Sequence, residues 1–131
     1  MSTNLPTKGQ IERALSQRIQ ALYKNHLGHQ PSKVTCELFA DKLAIILEDS
    51  LTTAERVLIE KGQEDLAEQV RCGLDEASQP QLKNLIEEIL SVRVNDILSD
   101  AGLETGRTGI IAILDSSPKL RKNNTNSQAK K

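Results

Sequence analysis

The chain has no tryptophan, one tyrosine and one phenylalanine among its 131 residues. A stacking platform for single-stranded nucleic acid needs several rings, so that class of function is excluded. No apolar run is long enough to span a bilayer, and MSTNLPTKGQ lacks the apolar stretch of a secretory signal. A cytoplasmic protein is expected. Only two cysteines occur, Cys36 and Cys72, and neither belongs to a C-x-x-C pair. They read as separate thiols in a reducing compartment. His26 and His29 stand three apart, but Gly28 between them ends the helix that would align them. No metal or cofactor is expected from so sparse a donor set.

What remains is an aliphatic chain of one-domain length, with 37% hydrophobic and 27% charged residues. The net charge of -1 is unevenly spread. Lys119, Arg121, Lys122, Lys130 and Lys131 make SSPKLRKNNTNSQAKK a +5 tail with no acid, which leaves -6 for the rest. The expected organisation is one domain over residues 1–115 and a disordered basic tail over 116–131. Such a tail could tether the protein peripherally to an anionic membrane. Five scattered charges give no strong nucleic-acid signal.

Apolar residues Ile11, Leu15, Ile19 and Leu22 recur at helical steps between Thr7 and Leu27, and Gly28 suits a helix stop. The period then falls to two. KVTCELFA and KLAIILED read as a hairpin turning at Asp41-Lys42, with Leu43, Ile45 and Leu47 on a buried face. Thr52 with Glu55 three residues later has capping-box spacing and opens a short helix that Gly62 interrupts. A long helix is expected from about Gln63 to Leu90. Its stripe uses Leu66, Val70, Leu74, Leu82, Leu85, Ile86, Ile89 and Leu90, with a kink or short break at Pro80. Val92 and Val94 start a strand whose pattern slips at Ile97-Leu98, as a bulge would make it. The nearly all-apolar GIIAIL closes the fold as a central strand.

The order α-β-β-α-α-β-β predicts an α+β fold. Two hairpins would form a four-stranded, mostly antiparallel sheet with the helices on one face. Apolar stripes on both long helices exceed what such a sheet would cover, which predicts a homodimer through a helix face.

Candidate chemistry is sparse. Thr105-Gly106-Arg107-Thr108-Gly109 looks like a phosphate loop but precedes a strand, whereas a P-loop precedes a helix. It reads as a hairpin turn in which Arg107, with Thr105 and Gly106, could hold an anion or a carboxylate. Thr52 and Glu55 read as a structural helix cap, and Arg56 beside them as free for a ligand or partner. Glu55, Glu60, Glu64, Asp65, Glu68, Asp75, Glu76, Glu87 and Glu88 read as solvated helix faces, with no sign of the close burial that acid–base chemistry needs. No catalytic residue is expected.

The succession of these features resembles the MpsC-like family. That small bacterial family of unknown function is named after a Na+-translocating, membrane-potential-generating system. The resemblance rests on several features in order. They are the Gly28-x-x-Pro31 loop, the strand pair KVTCELFADKLAIILED and Leu51-Thr52-x-x-Glu55-Arg56. A long acidic helix, Val92-x-Val94 and a Thr-Gly turn before the last strand follow. It implies a non-enzymatic protein, in some cases encoded beside membrane proteins for inorganic-carbon or cation uptake. Without a span of its own, such a chain would regulate or scaffold a membrane transport system. The expectation is thus an accessory or regulatory protein acting by protein–protein interaction. The alternative is a sensor that binds a small ligand or anion.

Overall fold

The computed structural model describes residues 5–121. Helix α1 spans Lys8–Leu27. Thr7 caps it: its hydroxyl accepts from the Gln10 amide at 3.2 Å, and the Gln10 side chain accepts from the Thr7 amide at 2.9 Å. Gly28 ends it at φ 73°, where its amide donates to the Lys24 carbonyl. The buried stripe is Ile11, Leu15, Ile19 and Tyr23. The last member is Tyr23, not the expected Leu22, because strict steps of four keep one line down the helix.

Strands β1 (Lys33–Phe39) and β2 (Lys42–Glu48) form the first hairpin. Phe39 pairs with Lys42, so the turn is Ala40-Asp41, one residue earlier than the sequence suggested. Strands β3 (Val94–Gly102) and β4 (Arg107–Leu114) form the second hairpin. The sheet order is β1-β2-β4-β3, antiparallel throughout, which puts the most apolar strands, β2 and β4, at its centre. A register shift between Val94 and Asp96 realises the expected bulge. It turns both Val94 and Ile97 toward the core, which strict alternation would forbid. The fold class and element order are those the sequence predicts.

Helix α2 spans Thr53–Glu60, and α3 runs unbroken over Glu64–Leu90 with Pro80 inside it. Its C-terminal half follows the expected stripe, burying Leu82, Leu85, Ile86 and Leu90 against the sheet. The N-terminal half departs from expectation. Leu66 is exposed, and the side facing inward carries Ala67, Arg71 and Ser78.

The helices occupy one face of the sheet. The α1 stripe and the C-terminal half of the α3 stripe are buried within this chain, together with Cys36, Leu38, Leu43, Ile45, Leu47, Ile110, Ala112 and Leu114. Large apolar residues are exposed on both layers, Phe39, Ile46 and Leu98 on the strands and Val57 and Leu66 on α2 and α3. Residues beyond Leu114 also touch the core. Pro118 is buried, Leu120 packs on the core, and the Arg121 amide donates to the Pro6 carbonyl at 2.8 Å. These contacts involve the 116–121 stretch, the first residues that the sequence assigns to the tail. Residues 122–131 lie outside the described residues.

Truncation after Asp115 should therefore lower stability by about 2 kcal/mol, from the apolar area that Pro118 and Leu120 remove from water. Urea unfolding of the truncated and full chains measures it. An unchanged midpoint would mean that the core ends at Asp115.

Candidate functional site

The cap at the start of α2 forms as the spacing requires. The Glu55 amide donates to the Thr52 hydroxyl oxygen at 3.3 Å, and the Thr52 amide donates to Glu55 Oε1 at 2.9 Å. The carboxylate does more than cap. Glu55 is fully buried, and Arg71 of α3 donates to both its oxygens, Nε to Oε2 at 2.8 Å and Nη2 to Oε1 at 2.6 Å. Glu55 was expected on a solvated face, so this is a correction. Capping geometry turns one oxygen toward the backbone and leaves the other facing α3, where only a fork of donors could satisfy it. Arg71 also donates from Nη2 to the Ser50 carbonyl at 3.0 Å and from Nη1 to Asp75 Oδ1 at 3.1 Å.

Ser50 extends the network to the second hairpin. Its amide and hydroxyl donate to the Gly106 carbonyl at 2.8 and 3.0 Å, and its hydroxyl lies 2.8 Å from that of buried Thr108. One polar cluster thus joins the end of β2, α2, α3 and the β3–β4 turn.

Burial alone would push the Glu55 carboxyl up. Hydrogen bonds from Arg71 and Thr52, with the Arg71 charge, outweigh it and hold the group below the ordinary glutamate value. Burial likewise opposes the charge on Arg71, but the Glu55 bonds and charge keep it firmly protonated. Asp75 goes the other way. Burial raises it, Arg71 pulls it back, and the charges of Glu55 and Asp100 leave it above the usual aspartate value. Away from the cluster, burial raises the Cys36 thiol to about 11, so that cysteine acts as a small hydrophobe.

The other sequence candidates are only partly brought together. Arg56, Thr105 and Gly106 share a shallow depression of about 230 Å³ with Leu51, Ile59, Glu60, Leu103 and Glu104. Arg56 pairs there with Asp49. Thr105 and Gly106 hold the turn: the Thr105 hydroxyl and the Gly106 amide both donate to the Gly102 carbonyl, at 3.3 and 2.8 Å. Arg107 points elsewhere, and its Nε donates to Glu48 at 2.7 Å. The two arginines therefore do not converge on one anion. His29 Nε2 lies 2.8 Å from the Asp49 carbonyl. Among the described residues, no group of three or more His, Cys, Asp or Glu could hold a metal ion.

Sequence reasoning missed Arg71 because it scored a cation on a helix as solvent-facing. Its spacing was the available signal. Ala67, Arg71 and Ser78 stand four and seven apart, on one helix line. Glu87 was misread in the same way. It is half-buried and accepts from the Val94 amide at 2.8 Å, which ties α3 to the first residue of β3.

A family model described as Na+-translocating membrane potential-generating system (MpsC) matches residues 7–116. The chain belongs to that family, as the order of its motifs suggested. No curated protein and no solved structure matches it.

Arg71→Leu should cost about 3–5 kcal/mol, because it strands a buried carboxylate. Thr52→Ala should cost about 1 kcal/mol. Asp75→Asn should be nearly neutral, since the fold already disfavours that charge. Urea midpoints at neutral pH separate the three, and equal losses would contradict the assignment of Glu55 as the essential partner.

The pH dependence follows from the same shifts. Stability from Glu55 is fully present above the ordinary glutamate range and is lost as pH falls through its depressed folded value. Asp75, with its raised value, contributes in the opposite sense. Glu55→Gln should therefore flatten the acid limb of a plot of stability against pH, and a limb unchanged by it would count against this account.

Proposed function

We propose that this MpsC-family protein is a non-enzymatic accessory or regulatory protein of the cytoplasm, acting by binding a protein component of a membrane ion-transport system. The observation that carries this reading is the uncovered face of the sheet. Phe39, Ile46 and Leu98 are 47%, 40% and 55% exposed, well above what buried neighbours on the same strands retain. By register, Ala44 pairs with Ile111 and Ile111 with Leu98, so an apolar band crosses β2, β4 and β3. An apolar band rimmed by Glu37, Lys42, Asp96 and Asp100 has the make-up of a protein-binding patch.

Two further observations support it. No helix among the described residues is long and apolar enough to cross a membrane, so a part in ion translocation would be played through contacts. The ionic cluster at Glu55 is internally satisfied and offers no reactive group. A homodimer has two apolar surfaces to draw on, the sheet face and the exposed Val57 and Leu66 of α2 and α3. The basic tail could bring the protein to an anionic membrane surface near its partner. The anion-sensor alternative has less support, because Arg56 is paired with Asp49 and its depression also holds Glu60 and Glu104.

The test is capture by the tagged full chain from a membrane fraction of its own cells. Ile46→Asp with Leu98→Asp should abolish capture while shifting stability by less than about 1 kcal/mol, as exposed positions do. Sedimentation of the same two proteins reads the dimer separately. Capture that survives both substitutions would refute the sheet face as the partner surface.

A further inference from the structure

A second feature lies on the helix side of the sheet. Between the middle of α3 and the edge strand β3 there is a cleft of about 620 Å³. Its origin is legible residue by residue. Large aliphatic packing reaches Leu82 and Ile97 and then stops. Beyond that point α3 turns Ser78, Asp75 and Arg71 toward the sheet, and β3 answers with Ser99 and Ala101, which are too small to fill the gap.

The cleft is strongly acidic. Glu68, Asp75, Glu76 and Asp100 line it, and its one cation, Arg71, is already matched by Glu55 and Asp75. Between the acids lie the apolar Ile97, Leu98 and Leu103. Acids alone would mark nothing more than a solvated surface. An independent observation points to a ligand. The Ser78 hydroxyl, in a residue only 2% exposed, has no hydrogen-bond partner among the described residues. It faces a niche of about 10 Å³ that shares Asp75, Gln79, Ile97 and Ser99 with the cleft. A niche of that size holds one group the size of a water molecule. An unmatched buried hydroxyl is unfavourable unless such a group satisfies it.

The acids do not converge on a point, for no three of them form a metal-holding group among the described residues. Separated carboxylates with apolar surface between them match a cation whose charges are spaced along a hydrocarbon chain. We propose that the cleft between α3 and β3 binds an aliphatic polyamine. One terminal ammonium enters the Ser78 niche, and the chain lies along Ile97, Leu98 and Leu103 toward Asp100 and Glu76. An ammonium has three donors, and the niche offers it the hydroxyls of Ser78 and Ser99 and the free oxygen of Asp75. The raised position of Asp75, set first by burial and then by the neighbouring Glu55 and Asp100 charges, accords with this. The assignment does not depend on the partner-binding role of the opposite sheet face, with which the cleft shares Leu98 and Asp100 at the edge of β3.

Calorimetric titration of the full chain with spermidine tests it. Saturable one-to-one binding is expected, weakened about tenfold or more by Ser78→Ala and by Glu76→Gln with Asp100→Asn, since hydrogen bonds to a charged group are lost. Asp65→Asn, an acid elsewhere on α3, should leave affinity unchanged. Thermal melting keeps the test sound: Ser78→Ala should unfold no earlier than the parent chain, because its hydroxyl has no partner to lose. The proposal is overturned by the absence of saturable binding at millimolar spermidine. It is equally overturned if Asp65→Asn weakens binding as much as Ser78→Ala, which would mean diffuse charge attraction. A lysine-rich peptide binding more tightly than spermidine would also overturn it, making the cleft a peptide groove.

Discussion

The pairing of Glu55 with Arg71 is the constraint on which this end of the molecule depends. Two helices joined by a three-residue connection could cross in many ways. A bidentate guanidinium–carboxylate contact, both partners buried, admits few of them. The same guanidinium reaches the Ser50 carbonyl, and Ser50 in turn reaches Gly106 and Thr108. The crossing of α2 and α3 is thereby fixed relative to both hairpins. An apolar pair of the same volume could be as stable, since desolvating two charges offsets most of their attraction. What the ion pair adds is orientation. It must be matched in every conformation, or a charge is left buried alone.

That choice has a consequence further along α3. The helix is held at its C-terminal half by Leu82, Leu85, Ile86 and Leu90, and at its N-terminal half by Arg71. Between the two, Ser78 faces inward and Pro80 supplies no amide to the Glu76 carbonyl. The helix remains continuous because both ends are anchored, one by area and one by charge. The stretch between anchors needs no filling, and the cleft lies there.

The parts legible in the sequence are those governed by short-range rules. The cap at Thr52, the stop at Gly28, the two strand pairs and the slip near Ile97 each depend on residues within a few positions. The hairpin turn was misplaced by one residue because Ala40 takes φ 57°, a conformation rare for a residue with a Cβ and unmarked by any glycine. The ionic cluster was illegible for a different reason. Glu55 and Arg71 are sixteen residues apart in separate helices, and a hydrophobic pattern treats each as solvent-facing. Once Arg71 takes an inward position, Leu66 is left exposed and Val70 only half-buried, so one missed pair displaced half of the predicted stripe. The exposed apolar band on the sheet was equally hidden, since alternation shows two faces but not which one the helices cover.

The two edge strands show how the proposed surfaces coexist with protection against edge-to-edge pairing. An open antiparallel sheet exposes backbone groups at both edges and invites strand addition. On β1 the free Leu38 amide is taken by Glu12 of α1 at 2.8 Å, with Lys8 bridging Glu12 and Glu37. On β3 the bulge after Val94 bends the edge, and Asp96 and Asp100 place charge along it. Those two acids serve both faces. Asp96 and Asp100 rim the apolar band, limiting it to partners that tolerate negative charge, and Asp100 also contributes to the cleft behind it. A positively charged group approaching β3 would therefore be favoured from either side, whereas a second acidic sheet edge would be repelled. Edge protection and selectivity for cationic or basic neighbours follow from the same side chains.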